Sequence, residues 1–106
     1  MKGKTITMGL VVWHDRIADQ DGSIVQVVKA AGAIPFARTA MPQTGMVLQT
    51  VSNLWGRTLN PYNRGFSAGG SSGGDGALVA MHGSPLSLST DIGGIYNLQL
   101  LHFIIC

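Results

Sequence analysis

The sequence predicts an α/β fold, and three observations carry that prediction. Apolar residues recur at helical spacing through Ile24, Val27, Val28 and Ala31, and a short apolar run follows at residues 34–38. The same order, helix and then short strand, returns over residues 74–90. Alternation of this kind is the pattern of helices packed on a sheet whose strands are buried.

In chain order, residues 9–13 (Gly-Leu-Val-Val-Trp) are β-rich and read as a first short strand. Asp21-Gly22-Ser23 is a helix start, because small polar residues can satisfy the free N–H groups of a first turn. Gly32 is placed to end that helix, since a terminus often needs a left-handed residue. A buried strand is then expected at residues 34–38. Residues 40–76 are rich in Gly, Asn, Ser, Thr and Pro and read as a long shaped loop, with a helical turn near residues 46–51. A loop of that length in a compact chain carries a function or is disordered. A second helix is expected at about residues 74–82, then a turn at Gly83-Ser84-Pro85, a strand at residues 86–90 and an apolar tail. There is no internal repeat.

The 106 residues suffice for one small domain and not for two. Charged residues make up only 11% of the chain, against roughly 25% in a typical soluble domain, so its faces read as surfaces to be covered by more protein. The formal net charge of +2 is spread over Lys2, Lys4, Arg16, Lys29, Arg38, Arg57 and Arg64. That scatter gives no stripe to follow a phosphate backbone, and no nucleic-acid partner is expected. The lone Cys106 forms no internal disulfide and suits a reducing compartment. The first twelve residues lack the long apolar core of a secretory signal, which points to the cytoplasm. The tail, residues 98–106, is too short for a membrane span, and its uncharged Phe103-Ile104-Ile105 is an aggregation liability. His14, His82 and His102 show no metal-ligand spacing, so neither a metal nor a cofactor is expected. Trp13 and Trp55 read as core or interface residues.

The chemistry concentrates in Gly69-Gly70-Ser71-Ser72-Gly73-Gly74. Such a run lets the backbone approach a ligand closely, and a helix directly after it would aim free N–H groups outward. It lacks the lysine that ends a nucleotide-binding P-loop. Residues 70–74 also fit the letters of a Gly-x-Ser-x-Gly elbow, with Asp91 and His102 following in order. That elbow requires a strand directly before its serine, whereas residues 60–67 (Asn-Pro-Tyr-Asn-Arg-Gly-Phe-Ser) are loop chemistry. Gly/Ser runs are more often flexible linkers than sites, and the flanking sequence is what argues otherwise.

Those flanks are Gly56-Arg57-Thr58-Leu59-Asn60-Pro61 upstream, Gly74-Asp75-Gly76-Ala77-Leu78 within, and Gly83-Ser84-Pro85-Leu86 through Thr90-Asp91-Ile92-Gly93-Gly94 downstream. In sequence and order they resemble the amidase signature family of serine hydrolases. Arg38-Thr39-Ala40-Met41-Pro42-Gln43 and residues 3–9 extend the likeness to about residues 3–94, and it runs strongest toward fungal-type acetamidases and general amidases, relatives of fatty-acid amide hydrolase. The resemblance implies a partial amidase signature domain at residues 1–94, part of a mixed-sheet core flanked by helices, with residues 95–106 as a tail unlike the family.

It also implies a Ser-Ser-Lys hydrolase acting on a small amide without a cofactor. A neutral lysine draws a proton from a bridging serine held by a cis peptide, and that serine draws one from the nucleophilic serine, which attacks the amide carbonyl. Carried over, the bridging serine is Ser71, with Ser72 beside it in support. The oxyanion hole is the backbone of Ile92, Gly93 and Gly94, steadied by Asp91, and Gly45 and Met46 fall near the acyl pocket. Two departures stand against activity. The nucleophile position, directly after Gly94, holds Ile95, and the family's Ser-Ile-Arg continuation is replaced by Ile95-Tyr96-Asn97-Leu98-Gln99. The family's lysine would fall ahead of Met1, and Lys2 and Lys4 stand too close to Gly3 to replace it. The expectation is a truncated, inactive amidase segment. The alternative is a non-catalytic module that associates with a full-length homologue.

Overall fold

A computed structural model describes residues 1–90. Two helices and one two-stranded sheet make up its regular structure: α1 at Ser23–Ala30, β1 at Val51–Ser52, β2 at Gly56–Arg57 and α2 at Gly73–Ala80. Both helices, a small sheet between them and long connections give an α/β arrangement. Its buried apolar side chains are only Ala18 and Ala68, joined by the fully buried Pro42.

The N-terminal segment folds back on itself. Thr5 pairs with Ile17 in an antiparallel bridge, and Gly3, Ile6 and Ala18 donate N–H bonds to Ala18, Arg16 and Lys4. Between these arms the strand expected at residues 9–13 does not form; Val11–Trp13 is a 3-10 turn closed by bonds from Trp13 to Leu10 and from His14 to Val11. The residues have β propensity, but no neighbouring strand offers them a ladder, so their backbone groups bond locally. Trp13 is half-buried under the Arg16 guanidinium, 4.5 Å from its ring centroid, while Trp55 is exposed and not a core residue.

Helix α1 starts and stops where the sequence places it. Lys2 N–H and Lys29 Nζ both donate to the Asp21 carboxylate at 2.7 Å, and Gln26 Nε2 donates to the Asp21 carbonyl, fastening the first turn. The bond from Lys29 foremost, and then that from the Lys2 N–H, hold the Asp21 carboxyl below the usual carboxylate range. At the other end Gly32, at φ +90°, and Ala33 donate to Lys29 and Val28, the paired bonds of a left-handed helix terminus. No residue of α1 is buried. The side chains turned toward the rest of the chain are Val25 and Val28, whereas Ile24 and Val27 face outward. The expected apolar stripe is thus rotated.

The strand expected at residues 34–38 is absent, with Ile34 and Phe36 strongly exposed. So is the one at residues 86–90. Among the described residues neither segment has a strand beside it, and an extended chain becomes a strand only by pairing. Arg38 instead donates to the Thr5 carbonyl and, at 3.0 Å, to its hydroxyl.

The loop of residues 40–76 is more ordered than its composition suggests. Its helical turn lies at Gln43–Gly45 instead of residues 46–51, with Thr44 at φ +61°. β1 and β2 pair antiparallel in the register Val51↔Arg57 and Ser52↔Gly56. Thr58 extends the pairing by donating to Thr50, Ala68 donates to Thr58, and Leu59 bridges Ser67. The Asn60 side chain accepts from the N–H groups of Tyr62 and Asn63, a local turn that sends the chain back toward the glycine loop. Helix α2 ends, as α1 does, on paired bonds, His82 to Val79 and Gly83 to Leu78, with His82 at φ +56°. The expected turn at residues 83–85 follows, stapled by the buried Ser84 hydroxyl to Leu86.

Candidate functional site

The glycine loop is a built structure, not a linker. Gly69 and Gly70, at φ +77° and +58°, reverse the chain in a region closed to most side chains, and deliver Ser71 and Ser72 to the N-terminus of α2. Gly70 N–H donates to the Leu48 carbonyl at 2.9 Å. The buried Thr50 hydroxyl donates to the Gly70 carbonyl at 2.9 Å and accepts from Gly73 N–H at 2.8 Å. Every peptide bond among the described residues is trans, so the serines are presented by the two glycine torsions rather than by the cis peptide the resemblance implied.

The start of α2 is wedged against two other segments. A Cβ on Gly73 would lie 2.6 Å from the Thr50 hydroxyl, and one on Gly74 would lie 2.6–2.7 Å from the Ala40 backbone and the Thr39 side chain. Thr39 also donates from its hydroxyl to the Asp75 carboxylate at 2.7 Å. Burial pushes the Asp75 carboxyl up from its ordinary value, against the smaller opposing effect of the Thr39 bond.

Of these segments, Thr39, Ala40, Ser71, Ser72 and Asp75 line a cleft of about 570 Å³. Ser71, Ser72, Asp75, Thr39 and Thr90 are its polar side chains near the α2 N-terminus, and Val25, Val28, Phe36, Leu78, Leu86 and Leu88 supply much of its apolar lining. Ser71 and Ser72 are each 6% exposed, yet their partners differ. Ser72 Oγ donates to the Thr90 carbonyl at 3.2 Å and accepts from Thr90 N–H at 3.1 Å. Ser71 makes no hydrogen bond through its hydroxyl to any described residue, and it lines the cleft. An amphoteric hydroxyl in that setting can receive a proton and pass one on.

The structure therefore brings Ser71 and Ser72 to one wall of the cleft, and Ser72 reaches the residue directly before Asp91. Asp91, Ile92, Gly93, Gly94 and Ile95, with the rest of the tail and His102, lie outside the described residues. Gly45 and Met46 do not line the cleft: Gly45 ends the turn at Gln43–Gly45, and Met46 is 72% exposed. Among the described residues no lysine lines the cleft, and no group of three or more His, Cys, Asp and Glu could hold a metal ion. None of their helices is long and apolar enough to cross a membrane. Sequence reasoning did not single out Thr39, Thr50 or Asp75 for the site. A signal existed for the first and last, since the family-like runs at residues 38–43 and 74–78 prove to be in contact. For Thr50, set in a polar loop without a motif, there was none.

Comparison with known proteins identifies the family. The family model described as Amidase matches residues 1–95. An amidase of Gibberella zeae is 53% identical over 92 residues, which are 87% of this chain and 17% of that protein. The acetamidase of Emericella nidulans is 43% identical over 94 residues, 89% of this chain and 17% of its own length. Fatty-acid amide hydrolase 1 of Sus scrofa is 47% identical over 93 residues, 88% of this chain and 16% of its own length. The chain thus spans about a sixth of the length of these relatives, and within that span it belongs to the amidase family.

Proposed function

We propose that this chain carries the proton-relay segment of an amide-cleaving serine hydrolase, and that the chain by itself does not cleave amides. The observation that carries the reading is the setting of Ser71: a nearly buried serine on a cleft wall, carried on the glycine loop, with its hydroxyl free of partners among the described residues. In this reading the residues described here are part of a mixed-sheet core. Ser71 takes a proton from a nucleophilic serine as that serine attacks the amide carbonyl, and passes its own proton to a neutral lysine. The relay is then reversed to protonate the leaving amine, and water opens the acyl-enzyme. Ser72, by holding Thr90, sets the entry to the segment in which the N–H groups of Ile92, Gly93 and Gly94 receive the oxyanion, with Asp91 in support. Inactivity follows from Ile95, which has no atom able to attack a carbonyl.

The test is a graft of residues 1–94 in place of the matching segment of the Gibberella zeae relative, assayed for ammonia release from a small aliphatic amide. Activity is expected from the graft and none from the 106-residue chain. Ser71→Ala in the graft should lower kcat by about a thousandfold or more. A graft that folds and keeps its rate with Ser71→Ala would sink the relay assignment.

A second reading has support in the exposed apolar faces, chiefly Ile34, Phe36, Val27 and Leu86. The chain would then act without catalysis, pairing with a full-length homologue that covers those faces. Co-purification of the two in a defined stoichiometry would favour it, and separate elution would count against it.

A further inference from the structure

We propose that Thr50 is a positioning residue for Ser71, its hydroxyl setting the conformation of the backbone that carries both serines. The inference rests on the reading of Ser71 as the bridging serine.

Thr50 is 1% exposed, and one oxygen atom uses both its capacities on the same loop: it donates to Gly70 and accepts from Gly73, the residues that bracket Ser71-Ser72. The Gly70 and Gly73 backbones are buried, so neither group finds water if that hydroxyl is removed, and an unsatisfied buried group costs more than a bond is worth on the surface. The space is closed as well, since any Cβ on Gly73 would lie 2.6 Å from Thr50 Oγ1. Ser72 has a second anchor in Thr90. Ser71 has none among the described residues, so its position is inherited from the backbone, and that backbone is clipped at each side by Thr50. Thr58 N–H donates to the Thr50 carbonyl, so the clip itself is held by the strand pairing of residues 50–58.

Valine and serine separate the two properties of this side chain. Valine fills the same space and bonds neither glycine, whereas serine keeps both bonds and loses the methyl group. In the 106-residue chain, Thr50→Val should speed amide hydrogen exchange at Gly73 by about tenfold or more, the loss expected for one or two buried hydrogen bonds, and leave Ala33 at the end of α1 unchanged. Thr50→Ser should stay within about twofold of the wild type at both. In the graft, Thr50→Val should lower kcat by about tenfold with KM nearly constant, and Thr50→Ser should restore it. Equal Gly73 exchange in Thr50→Val and wild type overturns the inference, as does a Thr50→Ser variant that behaves like Thr50→Val. Where Thr50→Val does not fold, the wild-type Thr50 hydroxyl proton decides: slow exchange in the proton spectrum supports the clip, and its absence overturns it. If Ser71→Ala leaves the graft active while Gly73 exchange responds as expected, the relay reading fails and the clip stands. If Ser71→Ala silences the graft while Thr50→Val leaves kcat intact, positioning fails and the relay stands.

Discussion

Helices α1 and α2 each run eight residues and each close on a left-handed residue, Gly32 in one and His82 in the other. Their first turns have little in common. That of α1 is exposed and fastened at the surface by the Asp21 carboxylate, which accepts from the Lys2 backbone N–H and pairs with the Lys29 ammonium. That of α2 starts on two buried glycines, is fastened by Thr50 and Thr39, and lies so close to the Thr50 side chain at residue 73 and to the Ala40 backbone at residue 74 that a Cβ at either would clash. The difference separates a helix fastened at the surface from one whose buried start carries Ser71 and Ser72. Charge pairing across a surface tolerates movement of its long side chains. Backbone wedged at van der Waals contact does not.

The contrast can be broken most sharply at Gly74. Gly74→Ala places a Cβ against the Ala40 backbone, which cannot rotate away, and should destabilise the chain by about 2–3 kcal/mol despite the better helix propensity of alanine. At Gly32, where nothing crowds a Cβ, Gly32→Ala should cost only about 1 kcal/mol, through the positive φ alone. Urea unfolding of the two variants followed by circular dichroism checks the ranking; equal losses would show that α2 is not wedged.

The two aspartates sharpen the comparison through pH. Burial raises Asp75, so the folded chain holds that proton more tightly than the unfolded chain does. Its contribution to stability is full below the ordinary carboxylate range and is lost as pH rises through the raised value. Asp75→Asn, whose amide oxygen still accepts from Thr39, should therefore gain on the wild type as pH rises toward neutrality. Asp21 is lowered by Lys29 and Lys2, so its contribution is present at neutral pH and is lost as pH falls through the lowered value. Asp21→Asn should lose at neutral pH and converge on the wild type in acid. Unfolding midpoints measured across the carboxylate range would show the two variants diverging in opposite directions; parallel curves would contradict the assignment.

The smallest effect is expected at the end of α2. His82→Gly relieves a left-handed conformation that a side chain resists, while the more flexible chain offsets part of the gain, leaving a net stabilisation below about 1 kcal/mol. A shift of the thermal midpoint downward would mean that the His82 side chain makes a contribution the backbone geometry does not reveal.

Much of this was legible in the residues alone. The bounds of helix α1 could be read from Asp21-Gly22-Ser23 and Gly32, because start and stop signals are local, although its first turn has no side-chain cap bond and Ile24 and Val27 of the expected stripe are exposed. The second helix and the turn at residues 83–85 follow from the same kind of signal, and the ordered series of family-like motifs points to the amidase family, whose model matches residues 1–95. The strands at residues 9–13, 34–38 and 86–90 were not legible in this way. Apolar runs record a demand for partners, and only a neighbouring chain segment can meet it.

The sequence by itself determined the family, the helix ends and the place of Ser71 in the glycine run, since each depends on residue type and on spacing along the chain. The tertiary structure alone decided what holds that serine. Thr50 lies twenty residues from Gly70 along the chain, and Thr39 lies thirty-six from Asp75. No local propensity encodes those meetings; they arise where the return of the chain through β1 and β2 closes the distance, and where the absence of a side chain admits the Thr50 hydroxyl to Gly73 and the Ala40 backbone to Gly74.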